Sequence, residues 1–300
     1  MPIHQSDVAV LGGGPAGSAA ATLLARHGHD VALVHPTMPP HGALAESIPP
    51  SARRILDEIG VLGALEGAGF HPNRGNTVWW AGAEARIESF EVAESGFHVD
   101  RAGLEEVLVG RARDAGVVVH DGALARSATE TDRGWKVRCT VTDDDLLDLR
   151  APWILDATGR RGLIATGEGR EPDRSTTTVA LVRRWRRRGG FEGADPTHTL
   201  VESYVDGWAW SVPLSPEERC VTAMVDHRHV DLGGEKLAAK LDRELDKTAH
   251  VGALRNGAVP CGPAWACSAS LYTAARFARP GLLLVGDAGS FIDPLSSFGV

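Results

Sequence analysis

Lysine and cysteine are scarce in this chain of 300 residues, and long apolar runs are missing altogether. Its 31 basic side chains include only four lysines, Lys136, Lys236, Lys240 and Lys247, and 39 acidic residues outnumber them to leave a formal net charge of −8. That balance gives no basic footprint for nucleic acid and favours small molecules or proteins as partners. No stretch approaches the roughly 18 apolar residues of a membrane span, and residues 1–7 lack the basic and apolar regions of an export signal, so a cytoplasmic location is expected. Cys139, Cys220, Cys261 and Cys267 match neither a CxxC redox pair nor a paired zinc spacing, and are expected to be reduced fillers. His227 and His229 would share one face of a strand as two metal ligands could, but no third ligand stands near them. A solvated strand end is the stronger reading, and no metal is expected.

What is present reads as globular. With 43% hydrophobic and 23% charged residues the chain can bury a sizeable core. Short apolar segments alternate with helical ones, which indicates an α/β class. Val8-Ala-Val-Leu11 reads as a buried strand running into Gly12-Gly-Gly-Pro-Ala-Gly17, with a helix over residues 18–26 and a second strand over residues 31–34. In such a βαβ unit Gly12 permits the tight turn, Gly14 lets a pyrophosphate approach the backbone, and Gly17 lets the helix pack on the strand. Pro15 and Ala16, inside the glycine motif, are expected cofactor-binding residues, and the first amides of the helix that follows face the phosphates. One departure stands out. The second strand ends at His35, where such folds carry the Asp or Glu that accepts from the adenosine ribose. A neutral imidazole takes one hydrogen bond, so the contact is weakened or altered, and the loss would also suit a 2′-phosphate.

The distal motifs decide between these dinucleotides. Leu282-Leu-Leu-Val-Gly-Asp-Ala-Gly289 resembles the Gly-Asp motif of flavoprotein hydroxylases, in which Gly286 and Asp287 would hold the ribityl chain of FAD. Residues 153–162 resemble a second element of those enzymes, a strand ending in Asp-x-x-Gly beside the cofactor, here Asp156 and Gly159. Arg101 and Leu104 match an Arg-x-x-Leu segment that precedes a helix touching FAD. Gly207-Trp-Ala-Trp-Ser-Val-Pro213 resembles the Gly-Trp-x-Trp-x-Ile-Pro signature of flavin-dependent halogenases, departing at Val212. Glu46 lies in a match to that group's Gly-Glu-Ser-x-x-Pro loop, and Pro294 and Gly299 lie in a match to its Asp-Pro-x-x-Ser-x-Gly flavin loop.

The resemblance implies an α/β architecture: a doubly wound, Rossmann-like FAD-binding domain with a second mixed β-sheet substrate domain. The expected segments are 1–70, 99–165 and 270–300 for FAD, and 71–98 and 166–269 for substrate. Trp208, Trp210 and Pro213 are the expected substrate-side residues. Trp79 and Trp80 fit an aromatic pocket or a plain strand equally well, and the arginines at 183, 184, 186, 187 and 188 fit a solvated face or a docking site for an acidic partner. Family members continue beyond the point matching Val300 through helices that close the site, so a truncated or processed form is expected.

Halogenases of this family use a lysine in the segment after the Gly-Glu loop, and no lysine precedes Lys136 here. The resemblance therefore points first to an FAD-dependent monooxygenase that hydroxylates an electron-rich aromatic, an indole or phenol, free or protein-bound, through a flavin C4a-hydroperoxide. Dioxygen would be the oxidant. Electrons would come from NAD(P)H or from a separate flavin reductase. Halogenation, FAD-dependent reduction and a non-catalytic flavoprotein or maturation partner are the alternatives. Glu202, Asp206 and Asp226, near the Trp-x-Trp segment, are unranked candidates for a base.

Overall fold

The computed structural model describes residues 3–36, 44–82, 84–141, 145–173, 177–228, 236–292 and 294–296. His229, Asp293 and Gly299 therefore lie outside the described residues.

The glycine motif sits where its spacing predicts. Val8–Leu11 is a fully buried strand, and the following helix spans Pro15–Arg26, opening three residues earlier than expected because Pro15 takes the first helical position. Val8–Leu11 lies parallel between Val31–His35 and Trp153–Asp156, with Val118–Asp121 and Leu282–Leu284 next outward and Ala278–Arg279 closing one edge. Alternate side chains divide this sheet between two layers. Val8, Val10, Val31, Leu33 and Leu155 pack with Ala21 and Ala112 of the helices Pro15–Arg26 and Arg101–Asp114. Leu11, Val34, Ile154, Leu282 and Leu284 pack the other way, onto Trp135, Val137, Cys139, Leu147 and Leu149 of a four-stranded sheet. A βαβ fold thus carries helices on one face and strands on the other.

The second large layer is a seven-stranded sheet ordered Val259–Ser268, Thr178–Arg186, Glu218–Asp226, Gly207–Ser215, His198–Tyr204, Gly75–Trp79 and Arg86–Ser89. All neighbours are antiparallel except His198–Tyr204 with Gly75–Trp79. One face is sealed. Leu181, Trp185, Leu200, Ala209, Val221, Ala223 and Val225 bury against Leu241 and Leu245 of the helix Leu237–Leu245 and against Val251 and Leu254. The opposite face turns toward the glycine motif, with Ala180, Val182, Val212, Cys220 and Met224 buried against Ala45. A small sheet of Ala45–Ile48, Gly96–Asp100 and His71–Asn73 joins the two layers. All four cysteines are free.

Candidate functional site

A cleft of about 690 Å³ separates the two large sheets. Its floor is the glycine turn. Gly12 holds φ +111°, and a Cβ there would stand 2.2 Å from the Ala157 carbonyl oxygen. On Gly17 a Cβ would stand 1.8 Å from the Gly12 carbonyl oxygen, so only glycine lets helix and strand meet. Gly14 differs, because a Cβ there would meet nothing nearer than Arg101 Nη2 at 3.4 Å and Glu105 Oε1 at 3.5 Å. It is the helix N-cap, lines the cleft and carries no side-chain cap, so the positive end of the helix dipole lies at this wall. Ala16 packs the turn from behind: Gly286 holds φ +61°, and a Cβ on it would lie 2.6 Å from the Ala16 methyl.

A guanidinium stands over this helix start. Arg101 opens the helix Arg101–Asp114, capped by Asp100, which accepts from the Gly103 amide at 2.9 Å. Arg101 Nη1 donates to Glu46 at 2.9 Å and Nε donates to Glu105 at 2.9 Å. Burial pushes the Glu46 carboxyl up, and the Arg101 guanidinium opposes that rise. Asp287, on the turn Gly286–Ala288, is raised by burial in the same way, with Arg101 and Arg160 pulling it back. The Tyr272 hydroxyl donates to the Asp287 carbonyl oxygen at 2.7 Å, which ties that turn to the neighbouring strand.

Gly12, Gly14, His35, Glu46, Arg101, Gly159, Asp287 and Pro294 all line the cleft. Trp210 lines it too, on the same sheet face as Val212, Thr199, Val201 and Met224. Other expected residues stand elsewhere. Asp156 is fully buried and accepts from the Thr158 amide and hydroxyl and from the Ile164 and Ala165 amides, at 3.0, 2.6, 2.7 and 3.1 Å. Its lone pairs are spent on shaping the turn that presents Gly159, so it acts behind the cleft and not in it. Trp208 shares the face of Trp210, packed edge-on to it at 5.4 Å between ring centroids, and does not reach the cleft. Pro213 falls on the sealed face, because it is an odd number of residues from Trp210 along the strand. Pro15, Ala16, Gly17 and Gly286 support the turn without lining the cleft.

None of the three acids near the Trp-x-Trp segment faces the cleft. Glu202 accepts from the Ala249, His250 and Val251 amides, Asp206 pairs with Lys247, and Asp226 pairs with Arg228 and Thr177. Trp79 stacks on His250 with ring centroids 4.0 Å apart on the sealed side, and Trp80 faces outward. Arg184 and Arg186 share Glu218, Arg187 pairs with Glu192, and Arg183 lies over Trp185, so nearby acids and an aromatic ring absorb most of the arginine run. Among the described residues no cluster of three metal-ligating side chains occurs and no lysine lines the cleft.

Sequence reasoning missed Glu105, Arg160, Trp265 and Cys267, all of which line the cleft. Glu105 was legible as the i+4 partner of Arg101 on a helix. Trp265 and Cys267 share a strand face by period two, a weaker cue because nothing near them marks a site.

The cleft suits a dinucleotide with a flavin end. Its glycine floor admits a pyrophosphate, its open helix start and Arg101 supply positive potential, and its far wall is apolar and aromatic. Across residues 5–300 the chain matches the model of the FAD binding domain. It belongs to that family, within the flavin-dependent halogenase and monooxygenase superfamily. A tryptophan 2-halogenase of Chondromyces crocatus is 30% identical over 99% of this chain and 58% of its own length. A flavin-dependent halogenase of Armillaria mellea is 27% identical over 99% of this chain and 63% of its own. The chain thus spans about three fifths of these curated relatives. Among solved structures, the myxobacterial chondrochloren halogenase CndH superposes with a TM-score of 0.89 at 27% identity, covering 99% of this chain and 71% of that one. The peptidyl tryptophan dihydroxylase QhpG superposes with a TM-score of 0.76 at 28% identity, covering 98% and 63%. No helix among the described residues is long and apolar enough to cross a membrane.

Proposed function

We propose that the chain carries the FAD site and the substrate-side wall of an enzyme that inserts oxygen into an electron-rich aromatic, an indole or a phenol, free or within a protein. FAD supplies the redox chemistry and the activation of dioxygen when bound. In this reading the segments 1–70, 99–165 and 270–300 hold FAD, while 71–98 and 166–269 shape the substrate side. Gly14, the helix start and Arg101 bind the pyrophosphate. Asp287 orients the ribityl chain, with Tyr272 fixing its turn. Glu46 and Asp287, both raised by burial, hold protons to a higher pH than exposed carboxyls do, and in that form each can donate a hydrogen bond. Trp210, Val212 and Met224 offer an aromatic and apolar face that excludes water from the reacting ring.

The observation that carries oxygen insertion over halogen transfer is the lysine-free cleft. The halogenase resemblance implies a lysine there, and the four lysines of this chain begin at residue 136. Halogenation is the second reading, and what favours it is that the relatives at 30% and 27% identity are halogenases. Electrons would come from NAD(P)H or a flavin reductase, and the reaction would run in the cytoplasm. The test supplies the chain with FAD, a flavin reductase, NADH, dioxygen and an indole or phenol, with and without chloride or bromide, and follows product mass. Gain of oxygen regardless of halide supports the proposal. Replacement of hydrogen by halogen overturns it in favour of the second reading.

A further inference from the structure

The strand Val31–His35 ends in an imidazole where dinucleotide folds of this class place a carboxylate. That ring is turned back onto the glycine motif: a Cβ on Gly13 would stand 2.3 Å from His35 Nδ1. A carboxylate nevertheless reaches the same end of the sheet from the next strand. Val118–Asp121 runs parallel to Val31–His35 with Asp121 beside His35 in register. His35, Asp121, Arg113, Glu105 and Glu106 line a recess of about 340 Å³, and His35 and Glu105 also line the main cleft. Arg113, in the last turn of the helix Arg101–Asp114, donates to both Asp121 oxygens at 2.5 and 2.6 Å. This grip fixes the carboxylate and still leaves it acceptor capacity, because each oxygen offers two lone pairs.

We infer that Asp121 takes the place of the missing acid: its carboxylate accepts from the adenosine ribose hydroxyls of FAD, and the recess rejects a ribose that carries a 2′-phosphate. The inference rests on FAD occupying the cleft as proposed above. Charge supports the second half of it. Of the three carboxylates that line the recess, Asp121 occupies the guanidinium of Arg113 and Glu105 is paired with Arg101, so the charge of Glu106 leaves the wall net negative toward a phosphate. Loss of the acid at His35 is therefore compatible with an unphosphorylated ribose.

Binding by calorimetry and by quenching of flavin fluorescence tests this without turnover. The probes are FAD, FMN, ADP and the 2′-phosphorylated counterpart of ADP, offered to the chain and to its Asp121→Asn and Arg113→Gln variants. We expect the parent to bind ADP more tightly than its 2′-phosphorylated counterpart. Asp121→Asn should weaken FAD and ADP about tenfold, leave FMN unchanged and erase the discrimination against the 2′-phosphate. Arg113→Gln, which keeps the carboxylate but frees its rotamer, should weaken ADP less. Equal FAD and ADP affinity in parent and Asp121→Asn overturns the inference alone. So does tighter binding of the 2′-phosphorylated nucleotide by the parent. A folded parent that binds no FAD overturns both this inference and the flavin reading beneath it.

Discussion

The two faces of the seven-stranded sheet come from the same strands and have opposite fates. On the sealed face Leu181, Leu200, Ala209, Val221 and Val225 meet the helix Leu237–Leu245, while Glu202 and His250 lock the loop behind it. On the cleft face Val78, Thr199, Val201, Trp210, Val212 and Met224 stand opposite the glycine turn and remain available to a ligand. Both faces are apolar, so hydrophobicity alone does not mark the site. The presence or absence of a helix that covers the face decides which surface is core and which is wall.

The largest separation of the two faces should come from the sealed side. Leu241→Ala, at a fully buried position, should lower unfolding free energy by about 2–5 kcal/mol in urea melts, while FAD affinity of the folded fraction stays constant. Acid should act on the small sheet that joins the two layers. His98, whose Nε2 donates to the Thr197 carbonyl oxygen at 3.0 Å, is pushed down to about 3 by burial, with Arg219, His71 and His198 adding to the shift. An unfolded histidine takes up a proton near pH 6.5, and the folded one does not until far lower. The unfolded state therefore binds more protons between these values, and stability is lost as pH falls through that window, by about 1.4 kcal/mol per pH unit. His98→Asn should flatten the slope of unfolding free energy between about pH 6 and about pH 4; an unchanged slope would assign the acid loss to other groups.

The cleft face should respond in binding more than in folding. Trp210→Ala, at a partly exposed position, should cost less stability than Leu241→Ala and weaken binding of an indole or phenol about tenfold, read by ligand titration of the flavin-loaded chain. An equal stability loss at both sites would erase the contrast between wall and core. Smallest of all, Trp80→Ser should change stability by no more than about 0.5 kcal/mol in the same melts, since the indole is 47% exposed. Its neighbour Trp79, stacked on His250, serves as the paired control whose removal should destabilise.

Much of the nucleotide end was legible in the sequence. The strand, the glycine turn and the helix at residues 8–26 depend on contacts a few residues apart, and the need for glycine at positions 12 and 17 follows from backbone crowding within that turn. The face of Pro213 was equally readable in principle, because period two separates it from Trp210. The aspartates were not. Asp156 ends the strand Trp153–Asp156 and Asp287 lies just beyond the adjacent parallel strand Leu282–Leu284, each at a glycine-bearing turn. The turn after Asp156 folds its amides back onto the carboxylate, whereas Asp287 is left facing the cleft.

By itself the sequence determined the βαβ unit, the family and the order of the motifs, because each rests on local spacing and on side-chain types that the backbone requires nearby. Only the tertiary structure decided which carboxylates and which tryptophans face the cleft, and that Asp121 stands beside His35. Those positions are set by strand order and register between segments far apart in the chain, where the stability comes from packing that no local pattern encodes.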